Sequence, residues 1–294
     1  HAERLGYSRV WYAEHHNMST IASSAPAVLI AHVAAHTESI RLGSGGVMLP
    51  NHSPLTVAEQ FGTLAELHPG RIDLGLGRAP GTDPRTLRAL RRSPEAAENF
   101  PQDVKELQGY LSGNSIVPGV NAVPGAGTNV PLTILGSSLF GAQLAAAYGL
   151  PYAFASHFAP DALVDAVAAY RSQFQPSEQL SEPYVIAAVN VIVSEDAQDA
   201  ARQLEASQRS RVRAMVGRGR EFTEEEMDMV MASPAASQVL HMISYTGAGT
   251  PDTVVDYLHR FAEHADADEL MISPTATRQP DVLTSMELLA KNWN

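Results

Sequence analysis

The sequence predicts a parallel (β/α)8 barrel, and three observations carry that reading. Short apolar runs ending in Gly, Ser or His alternate with helical patterns along the chain, and strands alternating with helices build parallel βαβ units. Seven such runs are visible, and "HAERLGY" before the first reads as the last turns of a helix ending at Gly6, so a further strand upstream of His1 is expected to complete the ring. The 294 residues suit one such domain, 1–294, since the fold typically takes about 250. The competing architecture is an open doubly wound sheet, which seven strands alone do not exclude.

The first run, "SRVWYAEH" (8–15), delivers Glu14, His15 and His16 to the C-terminal end of a strand, where barrel active sites are built. A charge at the end of a buried run is costly unless paired or used. Adjacent strand residues point to opposite faces, so His15 and His16 do not readily share one metal ion. Helix Pro26–Thr37 follows, carrying His32 and His36 at i, i+4 without the glutamate of a zinc-hydrolase motif. The bland reading of any one of these histidines is a hydrogen-bonded core residue.

The second run, "IRLGSGGVML" (40–49), holds three glycines. That is poor sheet chemistry unless a ligand or another backbone comes close, and a tight bend is the plain alternative. After helix Pro54–Leu67 comes "RIDLGLG" (71–77), leading into "RAPG". The spacing of Gly75, Gly77 and Gly81 is not that of a dinucleotide turn, and Pro80 falls inside it. Arg78, at that strand's end, suits bidentate capture of a phosphate, against a salt bridge with a helix acid.

The fourth run, "PLTILGSS" (131–138), ends in Ser137 and Ser138, and helix Leu139–Tyr148 begins at once. Free N–H groups of the first turn and two hydroxyls make this the clearest anion site in the chain. A lone serine there is more often only an N-cap, but Arg78 and the serines lie on neighbouring strand ends and converge. "PYAFAS" (151–156), helix Pro160–Gln173, "YVIAAVNVIV" (184–193), helix Thr253–His264 and "DELMIS" (268–273) complete the alternation.

Two segments interrupt it. Residues 112–130, rich in Gly, Pro and Asn, read as a surface excursion. Residues 215–247, acidic and Met-rich, read as a mobile lid over the barrel mouth or as an ordinary pair of surface helices.

Composition narrows the function. Twenty Lys and Arg against 32 Asp and Glu give a net charge of −12 without a basic stripe, which argues against nucleic acid and anionic membrane as partners. Cysteine is absent, which removes disulfides and thiolate metal sites. No apolar stretch approaches the roughly 20 residues of a membrane span. A cytoplasmic location is expected.

"WYAEHHNM", "RLGSGGVMLPNHSPLTVAEQFGTLAELHPGRIDLGLGRAPG", "ILGSSLFGAQLAAAYGLPYAFASHFAP" and "GAGTPDTVVDYLHRFAEHADADELMIS" together resemble the bacterial luciferase-like, flavin-dependent monooxygenases, in the same order over nearly the whole chain. The resemblance implies a barrel that binds reduced FMN at its C-terminal face together with oxygen and a small organic substrate. Position by position, it implies that Glu14 and His15 are the acid and the catalytic histidine beside the flavin ring. It places a non-prolyl cis peptide at Gly45–Gly46 under the isoalloxazine, and makes Arg78 a phosphate ligand. Ser137 and Ser138 match the phosphate-binding turn, with Ser137 where luciferase has a glutamate. Gly141 offers only its N–H where luciferase has a threonine. Ser156 takes the place of a tryptophan that covers the ring, and Gly77 that of a reactive cysteine. These departures point away from light emission and towards a monooxygenase relative.

The chemistry implied is oxygen insertion through a flavin C4a-hydroperoxide, with the protein excluding water, orienting the ring and managing protons. His15 is then the proton-handling group, because an imidazole titrates near neutrality; Glu14 positions the flavin, and His16, on the other strand face, is structural. A separate flavin reductase is implied as the supplier of reduced FMN. A homodimer is implied through the helices around Pro26–His36 and Thr56–Leu67. The alternatives are an F420-dependent oxidoreductase on the same fold, a non-catalytic flavin-binding relative, and a metal-dependent barrel hydrolase using the histidines.

Overall fold

In a computed structural model, residues 1–217 and 220–293 are described; Arg218 and Gly219, inside the 215–247 segment, lie outside the described residues. The strands are β1 (Arg9–Tyr12), β2 (Arg41–Met48), β3 (Ile72–Gly77), β4 (Leu132–Gly136), β5 (Tyr152–Phe154), β6 (Val185–Val193), β7 (Thr246–Gly249) and β8 (Glu269–Pro274). All pairings are parallel, and β1 to β6 follow one another in order. β6, buried along its whole length, pairs with β8 through Ile186–Val191 and with β7 through Asn190–Val193. Asn190 and Val191 pair with both, so β7 and β8 flank opposite edges of β6.

The ring path is therefore β1 to β6 and then β8, the seven strands legible in the sequence. β7 is an eighth strand that the sequence count leaves out, placed on the β5 side of β6. It is only "TGAG", two glycines and an alanine behind a single β-branched residue, Thr246, which is too little to mark a strand. β1 and β8 are not paired with each other. Side chains cross the seam instead, with Arg9 Nε 2.9 Å from Glu269 Oε1. The architecture is the expected parallel α/β barrel and not a doubly wound sheet.

The helices form the outer layer. α1 (Pro26–Ala34) and α2 (Pro54–Leu67) each carry proline in the first turn, and Ser53 caps α2 by accepting the Thr56 N–H. α3 (Pro84–Ala89) and α4 (Phe100–Ser112) precede the 112–130 excursion, which is irregular yet tucked in. Gly125 packs so tightly on α2 that a Cβ would stand 2.8 Å from the Ala58 carbonyl oxygen. α5 (Leu139–Tyr148), α6 (Leu163–Gln173), α10 (Pro251–Ala265) and α11 (Gln279–Asn292) complete the layer. α10 buries Val254, Leu258, Phe261 and Ala265, the spacing of one helical stripe.

The glycines of β2 and β3 answer to close backbone packing. A Cβ on Gly43 would stand 2.7 Å from the Asp73 Cβ, and one on Gly46 2.7 Å from the Gly75 carbonyl oxygen. Near the start of these strands Asp73 accepts from Arg9 Nη1 at 2.8 Å, Trp11 Nε1 at 3.2 Å and Arg41 Nε at 3.1 Å. One nearly buried carboxylate thus ties β1, β2 and β3 together.

A second, smaller core of Val212, Met227, Ala236 and Val239 joins α7 (Ala197–Gly217), α8 (Glu224–Met231) and α9 (Pro234–Met242). Within residues 215–247, α8 and α9 form a pair of helices. It leans over the barrel mouth on the β5 side, where His241 Nε2 of α9 is 2.5 Å from Asp161 Oδ1.

Candidate active site

β1 stops at Tyr12, so Glu14, His15 and His16 lie in the connection just beyond it. Glu14 is fully buried. Its Oε1 accepts from His16 Nε2 and from His52 Nε2, both at 2.8 Å, and its Oε2 accepts the Met48 N–H at 3.1 Å. Burial pushes the carboxyl upward, but the hydrogen bonds and charge of His52, then His16 and the Met48 N–H, outweigh it and hold the pKa below 4.5. Glu14 is therefore a buried carboxylate whose oxygens are already occupied.

His16 shares a side with Glu14, as residues two apart do along an extended chain. His16, read as structural and on the face away from His15, is one of two imidazoles that hold the acid. His15 points elsewhere. Its Nδ1 lies 3.3 Å from the Gly81 carbonyl oxygen; a carbonyl only accepts, so Nδ1 carries a proton, and Nε2 is not engaged in that contact. That half-buried ring, with Asn17, Met18, Ser19, Ile21 and Ser24, lines a cleft of about 400 Å³. Glu14 and His15 are neighbours in sequence but not partners.

His52 and Asn51 join the site from the turn after β2. Asn51 Nδ2 donates to the Pro80 carbonyl at 2.8 Å and lies 3.5 Å from Glu14 Oε1. The signal available for them was their place, "PNH" directly beyond a strand end. The Gly45–Gly46 peptide is cis.

At the same barrel end, Arg78 reaches the first turn of α5. The Arg78 guanidinium stacks 4.0 Å from the centroid of Phe140, in the first turn of α5 two residues beyond Ser138. No acidic side chain pairs with Arg78 among the described residues, so the salt-bridge reading of it falls away. Ser138 is the N-cap of α5 but makes no side-chain capping bond. Both serines are exposed. The first-turn N–H groups, that of Gly141 included, have no intrahelical acceptor. A cation, two hydroxyls and a helix N-terminus uncommitted to one another fit a phosphate.

Gly141 packs flat against β5, where a Cβ would stand 3.2 Å from the Tyr152 ring. Ser156 is fully buried, and its hydroxyl donates to the Ala188 carbonyl at 2.6 Å. Its side chain is thus committed to β6. Gly77, too, is crowded, with a would-be Cβ 2.8 Å from Met48 Sδ.

The luciferase-like monooxygenase family model matches residues 1–268. A luciferase-like monooxygenase of Escherichia coli (strain K12) is 46% identical over 290 residues, covering 98% of this chain and 87% of its own. Among solved structures, apo-MsnO8 superposes with a TM-score of 0.87 at 35% identity, covering 99% of this chain and 89% of that one. Two more distant barrels share the fold. The FMN-bound oxygenating constituent of 3,6-diketocamphane monooxygenase from Pseudomonas putida has a TM-score of 0.72 at 16% identity, covering 99% and 89%. The F420-dependent tetrahydromethanopterin reductase of Methanopyrus kandleri has one of 0.70 at 18%, covering 99% and 91%. With a family match over most of its length and close relatives spanning nearly all of it, this chain belongs to the luciferase-like monooxygenase family.

Proposed function

We propose that the protein is an FMN-dependent monooxygenase that uses reduced flavin and molecular oxygen to oxidise a small organic substrate. The observation that carries this reading is the mouth itself. Arg78 and a helix start with free N–H donors stand at the same barrel end as a histidine held with one nitrogen free.

Arg78, Ser137, Ser138 and the first-turn N–H groups of α5 would hold the FMN phosphate, by charge-assisted and helix-terminal hydrogen bonds. Bound and reduced, the flavin would supply the electrons for oxygen activation. His15, locked by Gly81 with Nε2 free, takes or gives a proton in the cleft it lines. Glu14 acts through others: it fixes His16 and His52 and the turn after β2, which shapes the floor beneath. The α7–α9 cap limits access of water from the β5 side.

Reduced flavin from a separate reductase, and a homodimer, accompany this proposal. The second reading is an F420-dependent oxidoreductase, favoured by the likeness of the barrel to F420-dependent ones. Titration with FMN and F420, each oxidised and reduced, followed by ring fluorescence, tests the proposal. Reduced FMN binding together with oxygen consumption on substrate is the expected result. Binding of F420 alone, with anaerobic turnover, would replace the proposal by its alternative.

A further inference from the structure

His15 sits on a segment with no regular structure of its own. β1 ends at Tyr12 and α1 begins at Pro26, and residues 13–25 between them form neither helix nor strand. A ring carried by such a connection keeps one orientation only if neighbouring parts of the fold hold it.

The holder is the stretch that joins β3 to α3. Three successive residues of the first connection each take one bond from it. The His15 ring meets the Gly81 carbonyl through Nδ1 at 3.3 Å, the His16 carbonyl accepts from the Thr82 hydroxyl at 3.0 Å, and Asn17 Nδ2 donates to the Thr86 hydroxyl at 3.0 Å. Thr86 in turn donates to Asp83 Oδ2 at 2.7 Å, and Asp83 Oδ1 accepts the N–H groups of Arg85 and Thr86 at 2.8 and 3.2 Å. The other end of the stretch is fixed by Asn51, whose Nδ2 donates to the Pro80 carbonyl at 2.8 Å. Gly81 is shaped for its place: its φ is +61°, and a Cβ there would stand 2.9 Å from the Glu14 carbonyl oxygen, so both conformation and space require glycine.

Of the three bonds, the one to the ring is the longest. N–H···O hydrogen bonds usually span about 2.7–3.2 Å, so at 3.3 Å the ring contact depends on the bonds beside it to keep the two segments together. That contact matters chemically, because the partner of one imidazole nitrogen decides which of the two is protonated in the neutral ring.

We propose that Thr82 and Thr86 are positioning residues for His15. By pinning His16 and Asn17 they keep the ring against Gly81, which holds one proton on Nδ1 and makes Nε2 the nitrogen that exchanges a proton in the cleft. Both act through His15 and Asn17, which line that cleft. The inference rests on reading His15 as the proton-handling group of an oxygenase site.

The test is nitrogen NMR of protein carrying isotope-labelled histidine, in alkaline buffer and without flavin, with His15→Gln identifying the His15 signals. In the wild type the neutral ring is expected as a single tautomer protonated at Nδ1, the opposite of the one a free imidazole side chain favours. Thr82→Val and Thr86→Val, which each remove a hydroxyl and keep the side-chain shape, are expected to give a mixture of both tautomers, and Thr82→Ser to restore the single one. The valine variants should bind reduced FMN with unchanged affinity, while oxidation of the bound flavin by oxygen slows by up to about 10²-fold, the scale of a group displaced by about 1 Å. A threonine that only supports the fold would lower the melting temperature and leave the tautomer as it was. A single Nδ1–H tautomer in both valine variants, an Nε2–H tautomer in the wild type, or a mixed tautomer with an unchanged oxidation rate overturns the proposal. The spectra separate it from the flavin reading: a protein that binds no reduced FMN, yet loses the single tautomer in the valine variants, removes the oxygenase reading and keeps the hold on His15.

Discussion

His52 Nε2 lies 2.8 Å from Glu14 Oε1, across 38 residues of chain. The contact joins the connection after β1 to the turn after β2, and turns a buried acid into the fixed point of the barrel mouth. With His16 on the same oxygen, three side chains from two strand ends behave as one unit.

The first prediction concerns pH and stability. Because the folded-state pKa of Glu14 lies below the ordinary 4.5, its stabilising contribution is fully present above the unfolded value. It is lost as pH falls through the lowered folded value. Glu14→Gln should therefore cost stability near neutrality and flatten the acid limb of the melting temperature against pH. An acid limb identical to that of the wild type would show that Glu14 is not the group responsible.

Removal of a partner is the second. His52→Ala leaves a buried carboxylate with fewer donors, at a cost of about 1–3 kcal/mol, read as a shift of the denaturation midpoint. His52→Gln, which can still donate, should recover much of it. Equal stability of both variants and the wild type would make the contact incidental.

Arg78 carries the third prediction. Its loss in Arg78→Ala should weaken reduced-FMN binding by about 2–3 kcal/mol, the scale of a charge-assisted contact, and activity should return at saturating flavin. A stopped-flow titration that finds unchanged affinity would move the phosphate elsewhere.

For His15 the expectation is the reverse. His15→Ala should keep flavin affinity and lower turnover by about 10² to 10⁴, the usual worth of general acid–base catalysis, or divert oxygen to hydrogen peroxide. Coupled oxygen uptake and product formation measure this, and full coupled turnover would remove His15 from proton handling.

The fifth prediction is the subunit contact. Val28 and Leu67 are 67% and 66% exposed and flank a groove of about 500 Å³ between α1 and α2, lined by Ala31, Gln60, Thr63 and Leu64 among others. A stable dimer needs burial of roughly 2,000 Å² or more, and this face is expected to supply it. Val28→Glu with Leu67→Glu should halve the mass seen by light scattering at micromolar concentration. A wild-type monomer there would refute the assignment.

Much of this was legible along the chain. Alternation of apolar runs and helical patterns gave the ring strands, and α2 and α5 fall at Pro54–Leu67 and Leu139–Tyr148 because proline, serine and glycine punctuate them locally. The turn proposed to hold a phosphate was legible for the same reason, since a strand end, two serines and a helix start are consecutive in sequence.

What the sequence by itself determined is therefore whatever depends on neighbours in the chain: the period of each element, its caps, and the strand end on which each polar residue sits. What only the tertiary structure decided is which of those ends meet. His52 became a partner of Glu14, while His15 turned from its neighbour to Gly81. Ser156 was drawn to β6, His157 was enclosed without a partner, and β7 formed from a four-residue run by pairing with β6. The physical reason is that hydrogen bonding and burial are satisfied across space: a side chain takes the partner that packing brings within about 3 Å, and packing is a property of the whole ring of strands.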